Sequence, residues 1–478
     1  MRSTVRGTII CLLFSGLCAG TGRAATVTWD NGGGDDAWTT GTNWDGDTVP
    51  GVGDDVVIPG GNTVNLSTTT SVNSLDCSGT FNLSGNTFTL AATSQIQASG
   101  TFNMSGGILT GAGNLTVNGS MTWTGGTMKG SGQTIIPSGK TLSISGSNNK
   151  TLESRTLTNQ GTVTLSGGST VRLYYGGTIS NQSGGVFDVQ GDVALDHFSG
   201  DYLTFTNAGT FRRSSGTGTA TVEGIFNNTG TLEVQTGTVK LTFGGGTSSG
   251  QTTTVASGAT LEFGGGTHTF SSGLTVANGT VKVSSGTMRM NGSSSLPAVV
   301  VTDGTLSANA ATTVQTVTLS GGYQAGTSSL TVNGSMSWTG GYLAGTGSTV
   351  IASGATLSIS GGVTKTLDAR TLTNQGTVTL GSTVRLYYGG TISNQSGGLF
   401  DVQGDVALDH FSGDHLTFTN VGTFRKSSGT GTATVEGIFN NTGTLDVQTG
   451  TVKLTLGGGT SSSQTTTVAS GATLEFGG

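Results

Sequence analysis

Short runs of alternating apolar and polar residues, each opened by glycine, recur along the chain from about residue 60 onward. Gly79-Thr80-Phe81-Asn82-Leu83 is followed by Gly100-Thr101-Phe102-Asn103-Met104, then by Gly119-Ser120-Met121-Thr122-Trp123. Gly139-Lys140-Thr141-Leu142 and Gly161-Thr162-Val163-Thr164-Leu165 continue the series at nearly even spacing. Alternation turns every second side chain to one face, which predicts half-buried strands. A glycine ahead of each strand permits the positive φ that a tight corner often needs. No stretch carries a 3.6-residue apolar period, so helices are expected to be nearly absent.

One register repeated about every 20 residues predicts an all-β, right-handed parallel β-solenoid. A sandwich of hairpins has no reason to keep such a register, whereas stacked coils place each position above its equivalent about 4.8 Å away. An asparagine supports the stacking. Asn159, Asn181, Asn207 and Asn228 each precede a corner glycine, and Asn374, Asn394, Asn420 and Asn441 repeat them. Equivalent asparagines stacked along a rod can bond to one another as a ladder. The rod should be on the order of 100 Å long.

A larger repeat is laid over the small one. Residues from Leu115 to Gly265 recur as Leu330 to Gly478, at an offset of 215 that falls to 213 after a short deletion near Leu380. Differences are mild, as in Arg213 to Lys426 and Glu233 to Asp446. The sequence therefore divides into a segment 1–24, a tryptophan-rich segment 25–60, first coils at 61–114, and long repeats at 115–329 and 330–478. The second repeat stops in mid-pattern, which predicts a truncated product or part of a longer chain.

The first residues read as a signal peptide: Arg2 and Arg6, an apolar run from Ile9 to Leu17, then Gly22-Arg23-Ala24. That run is shorter than the roughly 20 residues a bilayer requires, and no transmembrane segment is expected elsewhere. Cleavage after Ala24 removes Cys11 and Cys18 and leaves Cys77 alone, so no internal disulfide is expected. It also removes three of the 19 basic residues, leaving 16 against 25 acidic ones and a net charge of −9. With no basic patch, nucleic acid is not an expected partner. The expected location is secreted or at the cell surface.

Residues 25–60 differ from the coils. Trp29-Asp30-Asn31-Gly32-Gly33-Gly34 leads through Trp38 to Asn43-Trp44, then to Val49-Pro50-Gly51 and Asp54-Asp55-Val56-Val57-Ile58. Large aromatics in a loop-rich segment suit an N-terminal cap over the first coil. This arrangement, followed by the glycine-led coils, resembles the N-terminal part of large secreted bacterial β-helix proteins. Filamentous haemagglutinin-like adhesins and autotransporter passenger domains are of this type. The resemblance implies surface display with an adhesive or structural role, and surface glycans or a neighbouring cell surface as partners. Their translocating barrel has no counterpart in these residues.

Candidate chemistry concentrates in the most polar coil, Phe187 to Phe198, which holds Asp188, Asp192, Asp196 and His197 and is followed by Asp201. Its copy holds Asp401, Asp405, Asp409 and His410. Counted from the corner asparagines, Tyr175 should sit beside His197 if no bulge intervenes, and Tyr388 is the copy of Tyr175. These tyrosines, aspartates and histidines, leaving Asp201 aside, form a candidate carbohydrate- or calcium-binding strip. No other cofactor is expected. Paired carboxylates also allow a polysaccharide lyase or glycosidase, but a duplicated coil without a long loop argues against one specialised catalytic groove. Asp35 and Asp36, in the N-terminal segment, faintly resemble a calcium-binding turn, with loop solubility as the alternative. The Thr pairs Thr162/Thr164, Thr217/Thr219 and Thr252/Thr254 raise an ice-binding face as a further alternative.

Overall fold

The computed structural model describes residues 25–200, 202–247, 250–459 and 463–477. The leader assigned to residues 1–24 and Asp201 lie outside them. Among the described residues there are 54 strands and one short 3-10 segment, Gly41–Asn43. The chain is a β-solenoid of about 20 turns with coils near 21 residues.

Each complete coil contributes three strands, as in Thr162–Ser166, Thr170–Tyr174 and Thr178–Asn181. These pair in parallel, one coil on, with Val186–Gln190, Ala194–Ser199 and Thr204–Asn207. Three parallel strand stacks therefore enclose one core, and the one holding Thr162–Ser166 is a ten-stranded sheet that ends at Thr252–Val255. Coil length is not constant. The coil from Thr63 to its partner Thr80 is short, whereas the one from Val186 to its partner Thr210 is long.

The alternation predicted from sequence appears as columns of like residues. Phe81, Phe102, Met121, Leu142, Val163, Phe187 and Phe211 stack in register and are all buried. Full burial of each such side chain contributes about 1.5–3 kcal/mol. The Phe187 and Phe211 rings stack nearly parallel, 5.9 Å apart. Corner glycines are required where coils approach most closely. A Cβ on Gly119 would sit 2.0 Å from the Gly100 carbonyl oxygen, so no larger residue fits.

The asparagine ladder is present in both long repeats. Asn159 Nδ2 donates to Asn181 Oδ1, Asn181 to Asn207 and Asn207 to Asn228, each at 2.7 Å. In the second repeat Asn374, Asn394, Asn420 and Asn441 bond in the same order at 2.7–2.8 Å. All eight are buried inside a corner, where a carboxamide can donate to one neighbour and accept from the other, although the Nδ2 of Asn228, at the end of the first ladder, has no partner. A second ladder lies on an outer face, from Asn65 through Asn82 and Asn103 to Thr122.

Trp29, Trp38 and Trp44 are buried together. Trp44 meets the other two edge-on at 4.7–4.8 Å, and Trp38 rests against Phe81 and Phe88 of the first coils. Nearby, the strand Thr26–Thr28 pairs with Asp55–Ile58.

The long repeat does not span a whole number of turns. Ser120–Trp123 belongs to the ten-stranded sheet that runs from Thr63–Leu66 to Thr252–Val255. Its copy, the Ser335–Trp338 stretch, stacks instead through Val317–Leu319, Val299–Val301 and Val281–Val283 onto Leu261 and Val239. Val239 lies in the neighbouring sheet, which also contains Thr170–Tyr174 and Ala194–Ser199. The copy thus comes ten coils and one strand later. Every element of the second repeat is one face further round the rod than its counterpart in the first.

Candidate functional site

The acidic coil is bound into the rod by cations from the coil that follows it. Asp188 pairs in register with Arg212, whose Nη2 lies 2.8 Å from Asp188 Oδ2, and Gln190 Nε2 donates to the same oxygen at 3.0 Å. Burial alone would raise the Asp188 carboxyl. Hydrogen bonds from Arg212, Gln190 and Ser214 outweigh burial and hold it below the usual carboxylate range. In the second repeat Arg425 grips Asp401 through two nitrogens at 2.9 and 3.0 Å. Asp192 has a different task. Its Oδ1 accepts from the wholly buried Arg213 at 2.7 Å and from the Gly218 N–H at 3.0 Å. Lys426 replaces Arg213 in the copy and reaches Asp405 at 3.0 Å.

Asp196 and His197 face outward, with Asp196 opposite Arg172 on the preceding coil at 3.9 Å. Glu223, one coil on, is held above its ordinary range, first by burial and then by hydrogen bonding and repulsion from Asp196. The two residues follow the paired Leu195 and Val222, which sets them side by side on adjacent coils. In the copy, Glu436 accepts the His410 N–H at 3.1 Å, and Asp409 pairs across from Arg385. The Nδ1 atoms of His197 and His410 are buried without a partner in both repeats.

Tyr175 does not sit beside His197, nor Tyr388 beside His410. His197 pairs with Leu173, and Tyr174 with Ser199, because Phe198 is an extra residue bulged out of the ladder. The corner after Asn181 is also longer than the one after Asn159, which displaces any count taken from the asparagines. Tyr175 instead packs against Gly200, and Tyr388 against Gly413. The copy has the same bulge, at Phe411.

That bulge creates a feature the sequence reading passed over, an exposed aromatic strip. Phe198 stacks on Tyr174 at 5.0 Å with Arg172 above its outer ring, and Tyr175 lies alongside. His197 leads on to Tyr202 at 4.8 Å, and Tyr202 to Phe243 at 4.7 Å. Tyr175, Phe198 and Tyr202 are each more than half exposed. The second repeat carries Tyr387, Tyr388, Phe411 and Arg385 in the same arrangement, with His410 and His415 rings 4.1 Å apart. Leu456 takes the place of Phe243. Neither Tyr175 nor Tyr388 has ordinary backbone. Their φ values of 44° and 49° lie in the left-handed region, which costs a bulky residue about 1 kcal/mol or more. A usable sequence signal was the concentration of Tyr174, Tyr175, Phe198 and Tyr202 among otherwise small residues.

No family model matches the chain, and no curated protein or solved structure matches it either. The reading therefore rests on the side chains alone. Among the described residues, no group of three or more His, Cys, Asp and Glu side chains is placed to hold a metal ion. Asp35 in the N-terminal segment is occupied by Thr40, Ala37 and Asn43. Nor do the Thr pairs form double ranks. Thr162 and Thr164 stack between Thr141/Ser143 and Val186/Asp188, and Thr252/Thr254 follows Thr231/Glu233. No helix among the described residues is long and apolar enough to cross a membrane.

Proposed function

We propose that this chain is a structural and adhesive rod of the cell exterior that holds glycan chains on its two aromatic strips. The observation that carries this reading is the exposed Tyr174–Tyr175–Phe198 group beside Arg172 and Asp196, present again at Tyr387, Tyr388, Phe411, Arg385 and Asp409. Exposed apolar patches of this kind mark interaction surfaces. Flat ring faces accept the C–H face of a sugar, while flanking carboxylates and guanidinium groups fit its hydroxyls. The left-handed backbone at Tyr175 and Tyr388 supports the same reading, because strain of this kind gathers at ligand-binding positions.

A second reading, polysaccharide cleavage, is favoured by one observation. Asp196 and Glu223 follow the paired residues Leu195 and Val222 on adjacent coils, and two neighbouring carboxyl groups are what glycoside cleavage uses as acid and base or nucleophile. Both readings are tested by incubating the chain from residue 25 onward with a polysaccharide panel, scoring binding and release of sugar ends separately. Binding without release, lost in the Phe198→Ala/Phe411→Ala double variant, is the expected result. Binding that survives this double variant would overturn the aromatic-strip reading. Release lost in Glu223→Gln would replace the adhesive reading with the enzymatic one.

A further inference from the structure

The two strips do not share a face. The first lies where the Ala194–Ser199 sheet turns toward the Thr204–Asn207 sheet, bounded by Tyr202 and Phe243. The second belongs to Ala407–Ser412, which stacks back through Val384–Tyr387, Lys365–Asp368, Gly341–Ala344 and Tyr323–Ala325. That column continues through Thr305–Ala308, Thr287 to Met290 and His268 to Phe270, and reaches Asn228 and Asn207. It is the sheet of the first asparagine ladder, next to the sheet that carries the first strip. Ten coils separate the two strips, about 48 Å along the axis at about 4.8 Å per coil.

We infer that the protein joins two separate glycan chains and does not grip one chain twice. This rests on the glycan-binding reading given above. A stiff polysaccharide lying along one face passes only one strip, since the other is turned to the adjoining side. Two binding patches that point in different directions leave each free to take its own chain, so mixing rods with polymer yields a network. Patches aligned on one face would instead give avidity on a single chain, a gain of about 10²–10⁴ over either patch alone. The strips also differ in detail, Tyr202 and Phe243 in one standing where His415 and Leu456 stand in the other. The two chains therefore need not be of one kind.

The experiment compares the unaltered protein with Phe198→Ala, with Phe411→Ala and with both together. The probe is a panel of stiff polymers: cellulose nanofibrils, xylan, mannan, alginate and peptidoglycan sacculi. Direct binding is measured by co-sedimentation or calorimetry, and bundling by light scattering and electron microscopy. The expected result is that each single variant still binds, with one class of site lost and apparent affinity changed less than about threefold, while bundling disappears. Single variants that lose about a hundredfold in affinity, from a protein that binds without bundling, would overturn the inference and leave glycan binding standing. Bundling that persists in both single variants would overturn it as well. No binding by any form to any polymer would overturn the glycan reading itself, and this inference with it.

Discussion

The guanidinium of Arg213, wholly buried inside the rod, meets Asp192 Oδ1 at 2.7 Å where the chain turns a corner. Three more of its five N–H groups are taken by the carbonyls of Gly191, Thr236 and Gly218. Asp192 is thus the counter-ion of a plug, and its position beside the candidate strip follows from that task.

Removing Asp192 leaves the buried cation with carbonyls alone. Breaking a buried pair costs about 3–5 kcal/mol, and the exposure of Asp192 to water lowers this to about 1–3 kcal/mol. Asp192→Ala should therefore shift the denaturation midpoint down and speed exchange of the Gly218 amide, which bonds to the same carboxylate. Arg213→Lys should cost less than about 1 kcal/mol, because Lys426 already fills the equivalent corner with its hydrogen bonds made. Equal losses in the two variants would contradict the plug.

The asparagine ladder predicts a graded penalty. Asn207 accepts from Asn181 and donates to Asn228 and to the Thr231 carbonyl. Asn207→Ala strands those groups in a dry corner and should cost about 2–4 kcal/mol, at roughly 1–3 kcal/mol per unmade buried bond. Hydrogen exchange resolved along the chain is the appropriate readout, because solenoids open coil by coil. Protection should fall in the coils on either side of residue 207 and be retained near residue 100.

Acid should act through His268. Burial pushes its pKa down from 6.5 to about 4, against the bonds it makes to backbone carbonyls. The unfolded chain takes up this proton near pH 6.5 and the folded chain only near pH 4, so stability falls as pH drops between those values. Below the lower value the loss is complete, on the order of 3 kcal/mol at about 1.4 kcal/mol per pKa unit. Measured across this window, unaltered protein should lose more stability than His268→Gln. Identical slopes would show that the histidine is not the sensor.

Cys77 is fully buried and its thiol is pushed up to about 12, mainly by burial. Alkylation at pH 8 should be at least a hundredfold slower in the folded chain than in urea, since both thiolate and access are missing. Labelling at comparable rates in both states would mean that the first coils open readily.

Backbone strain and display should trade against each other at one position. Asn tolerates the left-handed conformation that Tyr175 is held in, so Tyr175→Asn is expected to keep or raise stability by up to about 1 kcal/mol. It should also weaken glycan binding at the first strip. A variant that destabilises the rod would show that the tyrosine ring is there for packing.

Much of this architecture was legible in the residues. Alternation after each glycine pointed to the strands, and Asn159, Asn181, Asn207 and Asn228 to the stacking direction, because an interior ladder needs the same residue type at each level. The site was less legible for a definite reason. Pairing between coils depends on every intervening corner, and the longer corner after Asn181 together with the bulge at Phe198 moved Tyr175 away from His197. Arg212 and Arg213 illustrate the same limit. Neighbours in sequence, they point to opposite sides of the wall, the partly exposed Arg212 to the Asp188 carboxylate and the buried Arg213 into the core. The offset between the long repeats did not reveal the change of face either. Coils as unequal as Thr63 to Thr80 and Val186 to Thr210 make turns uncountable until the pairing is known.

The one-strand excess in the long repeat bears on how such a chain can grow. The walls accept the same stretch of sequence interchangeably, since residues housed in one wall in the first copy are housed in the next wall in the second. A gene duplication therefore need not break at a coil boundary to be tolerated. Any breakpoint between strands returns a paired, closed wall, which triples the number of permissible junctions and lets lengthening also re-aim whatever the new segment carries.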